Sequence, residues 1–323
     1  MKKSKKRALQ IALLLCLTGM AIWFVCFVAA GFKLTEISTV TYETKTYEIQ
    51  EEFTDIEVRT KTADVCFVPW EEEECKVVCY EEERMKHSAE VKNGTLMITV
   101  KDTTKWHDNI GVSFDKPELT IYLPETQYDS LQIRTQTGAV DVPEEFGFAM
   151  GKVKTDTGEI NWKASVDEGL TLETDTGDMS VDTEVLRGLT IRTSTGEIHV
   201  ASAKNAFRVY VQSNTGKVLL QNMTCRFIEV KTDTGEVRLE DTVAEVGCTI
   251  TTETGDVNFE HFDALEGLHV TTDTGDVTGT LLSEKQFLTE TDTGEVTVPE
   301  SVDGGLCSVT TDTGDIKLEV IGQ

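Results

Sequence analysis

Asp-Thr-Gly is the tripeptide in this chain with the clearest chemical potential. It occurs as Asp156-Thr157-Gly158, Asp175-Thr176-Gly177, Asp233-Thr234-Gly235, Asp273-Thr274-Gly275, Asp292-Thr293-Gly294 and Asp312-Thr313-Gly314. In an aspartic protease such a tripeptide works because two aspartates meet across a cleft and share one proton. Here the copies recur in phase, which lines them along one edge, so no protease is expected. Divalent cation binding is the second chemistry. The residue after the glycine is acidic in eight of ten copies: Glu159, Asp178, Glu197, Glu236, Asp256, Asp276, Glu295 and Asp315. Carboxylates repeated every rung offer calcium oxygen ligands. The candidate ladder is Asp256, Asp273, Asp276, Asp292, Glu295, Asp312 and Asp315, where the acids are least interrupted. Elsewhere Ala139 and Lys217 break one acidic row, and Gln136, Ser194 and Asn214 break the other. The calcium-roll pattern Gly-Gly-x-Gly-x-Asp is absent. The expectation is a hydrated acidic edge with diffuse cations, no catalytic residue and no cofactor, with calcium on the ladder as the alternative.

Three other chemistries are weaker. There is no Cys-x-x-Cys, and no histidine stands at ligand spacing from another, so no zinc site is expected. Cys66, Cys75 and Cys79 are near enough in sequence for one disulfide, while Cys248 and Cys307 fall at an apolar repeat position and read as small core residues. A carbohydrate-active enzyme needs carboxylates out of phase with the repeat on long loops. The one unusual polar-aromatic cluster, Trp106-His107-Asp108, reads as a loop of a cap.

The elements that would position these groups follow from the glycines. Gly138, Gly158, Gly177, Gly196, Gly216, Gly235, Gly255, Gly275, Gly294 and Gly314 succeed one another at intervals of 19 or 20 residues. Such a period means stacked units that cannot bury an apolar face alone. Five residues before each glycine stands an apolar β-former such as Val153, Ile191 or Val270, with Thr289 the exception. Two after it come residues such as Ile160, Val218 and Ile316, and four after it Trp162, Leu220 or Leu318. Period-2 alternation on both sides of a turn predicts two short half-buried strands per rung. Rungs stacked at about 4.8 Å would extend about 48 Å over ten copies. Thr precedes every glycine, and Thr or Ser stands three before it. These hydroxyls are expected to bond along the stack or to the turn backbone, and the glycine to supply a left-handed corner. The aspartate two before the glycine suits an Asx-type turn.

The predicted fold is therefore all-β, a parallel β-solenoid (β-helix) of about ten 19–20-residue rungs with an irregular N-terminal cap, preceded by one transmembrane helix. Residues 1–7 form a basic tail and residues 8–30 an uncharged apolar span. As a helix, that span is about 34 Å long against a hydrocarbon core of about 30 Å. Five positive charges precede it, which puts the N-terminus in the cytoplasm and the bulk of the chain outside. Val28-Ala29-Ala30 would also serve as a signal cleavage site, but the apolar run is longer than a signal sequence needs. Residues 31–50 are a stalk or first strand, 51–130 the cap and irregular rungs, and 131–323 the regular solenoid. In the cap, Ile56–Val58, Val65–Val68, Lys76–Val78, Leu96–Val100 and Leu119–Leu123 alternate as strands. Glu71–Glu74 and Glu81–Glu83 read as solvated loops. Lys61-Thr62-Ala63-Asp64-Val65 reads as a repeat that has lost its glycine. Beyond residue 30 the chain carries a balance of -32, which disfavours nucleic acid and anionic lipid as partners.

With its Thr-Asp-Thr-Gly-Asp/Glu-Val/Ile units, the strand ending Tyr122-Leu123-Pro124 and the apolar N-terminus, the chain resembles a bacterial β-strand-repeat family of unknown function labelled putative adhesin. The resemblance spans roughly residues 50–323. It implies a parallel β-solenoid displayed outside the cytoplasmic membrane, commonly of Gram-positive bacteria, and brings no agreed catalytic or binding residues. The expected role is structural, adhesive or protein-interacting at the cell envelope, with an envelope or surface partner. An accessory regulator of envelope-stress signalling is the alternative, and a carbohydrate-active enzyme a remote one.

Overall fold

The structure, a computed structural model, describes residues 3–29, 40–104, 115–185 and 187–322. A helix, Lys3–Ala29, starts inside the basic tail. Its stretch Ile11–Ala29 has 19 residues and a mean hydropathy of 2.6, and none of it is buried against the rest of the chain. It is long and apolar enough to cross a membrane or to act as a signal anchor.

The remainder is a parallel β-solenoid. Each rung has a strand before the glycine and a shorter strand after it, as in Lys204–Thr215 and Val218–Gln221 around Gly216. Strands of the first kind stack on one another in parallel, with Val211 opposite Ile191 on one side and Val230 on the other. Strands of the second kind form the facing sheet, where Val218 lies between Ile198 and Val237. The alternation expected from sequence is what fills the interior: Val211, Val218 and Leu220 are fully buried, as are their counterparts Val230, Val237 and Leu239. A one-residue slip would carry this whole row to the surface, so the pattern fixes the register.

Strand order departs from chain order at both ends. Near the N-terminus, Asp55–Arg59 and Asp64–Trp70 form a rung stacked directly on Gln127–Arg134 and Val140–Val142. Ala63 occupies the corner, as the worn repeat implied. The intervening residues supply Thr95–Asp102 and Glu118–Pro124, which pair on the outer side of that rung. Antiparallel strands Tyr42–Ile49, Cys75–Glu82 and Met85–Lys92 end the stack here, and among the described residues Tyr42–Ile49 pairs only with Cys75–Glu82 and Met85–Lys92 only with Thr95–Asp102. At the C-terminus the last two rungs are exchanged. Gly305–Thr313 inserts between Gly267–Thr274 and Lys285–Thr293, and Ile316–Val320 pairs with both Val277–Leu281 and Val296–Thr297. The rung of Gly294, not that of Gly314, is therefore outermost.

One sequence expectation needs correction here. Glu81 and Glu82 belong to strand Cys75–Glu82, and Glu81 is fully buried, because the inward alternation Cys75, Val77, Cys79 continues to it. No disulfide joins Cys66, Cys75 and Cys79; all eight cysteines are free thiols. Cys248 and Cys307 are buried apolar residues, as expected. Trp106-His107-Asp108 lies outside the described residues.

Candidate functional site

The repeated corner is built by backbone first. From Gly158 onward to the penultimate rung in space, the glycine N–H donates to the carbonyl of the threonine before the next rung's glycine, as from Gly196 to Thr215 at 3.0 Å and from Gly216 to Thr234 at 3.0 Å. Seven of the ten corner glycines, Gly177, Gly196, Gly216, Gly235, Gly255, Gly275 and Gly314, take the left-handed, positive-φ backbone expected. Gly216 has φ 147°, a positive φ open mainly to glycine. Space is the more general cause. A Cβ on Gly216 would stand 2.0 Å from the Gly196 carbonyl oxygen, and one on Gly158, whose φ is ordinary, 2.1 Å from that of Gly138. The glycines pack as one backbone column with no room for a side chain.

The hydroxyl three before the glycine turns inward. Thr155, Thr174, Thr291 and Thr311 donate to the glycine carbonyls of Gly138, Gly158, Gly314 and Gly275 at 3.4, 3.3, 3.0 and 3.2 Å. In the central rungs Thr193, Ser213, Thr232, Thr252 and Thr272 bury the same hydroxyl without a partner.

The aspartate after the corner has a role that sequence reasoning missed. In every rung carrying Asp there, one carboxylate oxygen accepts the backbone N–H of the equivalent residue in the next rung. Asp64 accepts from Ala139 at 2.8 Å and Asp178 from Glu197 at 2.8 Å. Asp256 accepts from Asp276 at 2.9 Å, Asp276 from Asp315 at 2.8 Å, and Asp315 from Glu295 at 2.9 Å. Among the described residues no Glu at this position makes that bond; its extra methylene carries the carboxylate outward. Lys317 beside Asp315, together with the Glu295 N–H, holds the Asp315 carboxyl below its ordinary range.

These contacts place the candidate cation ladder. Its post-glycine members run in space Asp256, Asp276, Asp315, Glu295, an order set by the exchanged rungs. Asp273, Asp292 and Asp312 form a separate exposed row on the other side of the corner. The ladder is thus two rows, and in the first of them one oxygen of each aspartate is already taken by an amide. The six Asp-Thr-Gly aspartates stand exposed along the same edge, and stacking in parallel gives them no facing pair.

A different group converges in the cap. Cys79, Glu81 and His87 are all buried, and their ligand atoms lie within 4.8 Å of one another. Strand alternation puts Cys79 and Glu81 on one inward face, and the turn after Glu82 returns the chain so that His87 faces them. His87 Nδ1 is 2.7 Å from Glu81 Oε2, which also accepts the His87 backbone N–H at 2.5 Å. His87 Nε2 lies 2.9 Å from Thr60 Oγ1. Glu81 Oε1 is buried with no partner. Burial lowers the His87 pKa and pushes the Cys79 thiol up to about 12. Spacing rules framed on Cys-x-x-Cys and paired histidines could not find this group; inward alternation carried through to Glu81 could have.

The far end differs again. Among the described residues, strand Lys285–Thr293 pairs on one side only, with Gly305–Thr313. Its neighbour Val296–Thr297 pairs only with Ile316–Val320. Leu288 is 64% exposed and Val296 41%, whereas Ile316, which occupies Val296's place one rung inward, is fully buried. Both an apolar surface and a row of backbone hydrogen-bonding groups are therefore open.

A stack of glycine-cornered parallel rungs defines a β-solenoid, a repeat-built class of fold. This chain belongs to the Toastrack DUF4097 family, which it matches over residues 53–206 and again over 186–323. No curated protein matches it. Among solved structures it is similar to a putative adhesin from Bacteroides fragilis NCTC 9343, at 14% identity over 86% of this chain and 97% of that one, with a TM-score of 0.41. Two proteins from Parabacteroides distasonis ATCC 8503 are also similar, each over 87% of this chain and 98% of its own. One is a putative lipid binding protein with 15% identity and a TM-score of 0.44. The other is a putative adhesin with 12% identity and a TM-score of 0.44. At these identities and TM-scores the neighbours lend this chain neither ligand nor activity.

Proposed function

We propose that this chain is a non-enzymatic interaction protein of the cell envelope. Its helix anchors it in the cytoplasmic membrane with the N-terminus inside, and its solenoid presents an open end to a protein partner outside. The observation that carries this reading is the outermost rung. An unpaired strand edge beside exposed Leu288 and Val296 offers main-chain hydrogen bonds and an apolar contact to an extended segment of another protein. In the chain the anchoring helix precedes the opposite end of the stack, so this rung lies at the end away from it.

The test displays the full chain on cells and compares it with Leu288→Lys/Val296→Lys, two changes at already exposed positions. Loss of adhesion or partner capture in the variant, with surface display unchanged, is the expected result. Undiminished binding would remove the open rung as the site. A change in envelope-stress transcription with adhesion intact would favour the accessory regulator. External protease that spares the solenoid on intact cells would overturn the topology.

A further inference from the structure

We propose that Cys79, Glu81 and His87 form a site for a thiophilic divalent transition metal, zinc being the fitting ion, inside the N-terminal cap. The three side chains offer one sulfur, one oxygen and one nitrogen, a donor set that suits zinc and not calcium or magnesium. Their ligand atoms stand within 4.8 Å of one another. Tetrahedral zinc with bonds of about 2.0–2.3 Å needs donors roughly 3.5 Å apart, and a water would fill the fourth position beside the three side chains. Small side-chain rotations suffice: Glu81 and His87, now 2.7 Å apart, must open slightly around the ion.

Two further observations point to a ligand. Glu81 Oε1 is a fully buried carboxylate oxygen with no hydrogen-bond partner. An orphan of that kind is costly in a dry core unless something positive meets it. In addition, Thr60 stands where an outer partner of a metal-bound histidine belongs, 2.9 Å from Nε2. In the metal-free state His87 Nδ1–H donates to Glu81, and the Thr60 hydroxyl donates to Nε2. With the ion on Nδ1, the imidazole proton moves to Nε2 and donates to Thr60 Oγ1, whose hydroxyl reverses. Cys79 loses its proton to solvent, and Glu81 binds as carboxylate. The thiolate and the carboxylate together carry two negative charges, which a divalent ion neutralises. Loading an ionised Glu81 site therefore releases one proton per metal and leaves the core without net charge.

The site would tie strand Cys75–Glu82 to Met85–Lys92, which lie in facing sheets at the N-terminal end of the stack. That makes its role a clasp on the cap nearest the anchoring helix, independent of the open rung.

The test uses the full chain in detergent, stripped with chelator and titrated with cobalt(II) and then zinc(II). Expected are one ion per chain, a thiolate-to-cobalt charge-transfer band with the intense visible bands of a tetrahedral site, and their loss on adding zinc. Cys79→Ser should abolish the charge-transfer band, while Cys75→Ser, a buried cysteine of the same strand outside the group, should keep it. Thr60→Val should weaken zinc binding by roughly 10–100-fold. Absence of a thiolate–cobalt band in the unmodified chain overturns the proposal even if a variant fails to fold. So does a band that survives Cys79→Ser.

Discussion

Replacing Gly216 by alanine tests the account of the corner most directly. The new Cβ would stand 2.0 Å from the carbonyl oxygen of Gly196 and 2.7 Å from its carbonyl carbon. Carbon and oxygen in contact lie at about 3.3 Å or more, so the two rungs must part locally by about 1 Å. That movement stretches the bonds from Gly196 N–H to Thr215 O, now 3.0 Å, and from Ile198 N–H to Lys217 O, now 2.8 Å. Each lost bond costs about 1 kcal/mol. Holding a non-glycine residue near φ 147° costs about 1–3 kcal/mol more. The expected destabilisation is about 3–5 kcal/mol. Gly188→Ala is the internal control, because nothing lies within 4 Å of its Cβ position and its φ is ordinary. There alanine should be neutral or stabilising by about 0.4–1 kcal/mol through the unfolded chain. Urea denaturation of both variants gives the comparison, and hydrogen exchange should show Gly196 and Ile198 amides opening first, because a solenoid yields at its weakest rung interface. Equal stabilities of the two variants, within about 0.5 kcal/mol, would refute the column of backbone contacts as the reason for the glycines.

Three other outcomes are expected. Lys285 is fully buried and donates to Asp263 at 2.5 Å and to Ser283 at 2.7 Å; Asp263→Ala should cost about 3–5 kcal/mol in denaturation, and Asp263→Leu/Lys285→Met far less than the sum of the single changes. Calcium and sodium chloride at matched ionic strength should raise the melting temperature equally, because one oxygen of Asp256, Asp276 and Asp315 already accepts an amide; a calcium surplus that vanishes in Asp276→Asn would establish the ladder as a cation site. The Lys61 ammonium, with the Thr104 N–H, holds the Asp102 carboxyl down at about 2, so its contribution to stability is complete above the ordinary carboxylate range and lost as pH falls through about 2. Lys61→Met should return the Asp102 titration, followed by NMR, toward its ordinary value.

The apolar helix, the rung, its register and its inward rows were legible in the sequence. Val211, Val218 and Leu220 declare them by alternation alone, and Ala63 could be recognised as a corner without its glycine. These features are local: period and side-chain type determine which face is buried, whatever the neighbouring rung. Stacking order was not legible. Each rung presents nearly the same edge and the same inward row, so the sequence of Gly305–Thr313 fits against Gly267–Thr274 as well as against Lys285–Thr293. Only the closed three-dimensional stack decides that it fits between them, and with it which rung is left open. The glycine's reason was likewise tertiary, since the obstacle to a Cβ is a carbonyl some twenty residues away. So was the difference between Asp and Glu after the corner, which turns on the reach of a side chain to the next rung's amide. Cys79, Glu81 and His87 show the same division. Alternation fixes that the first two point inward, but only the return of the chain across the two sheets brings the histidine to them.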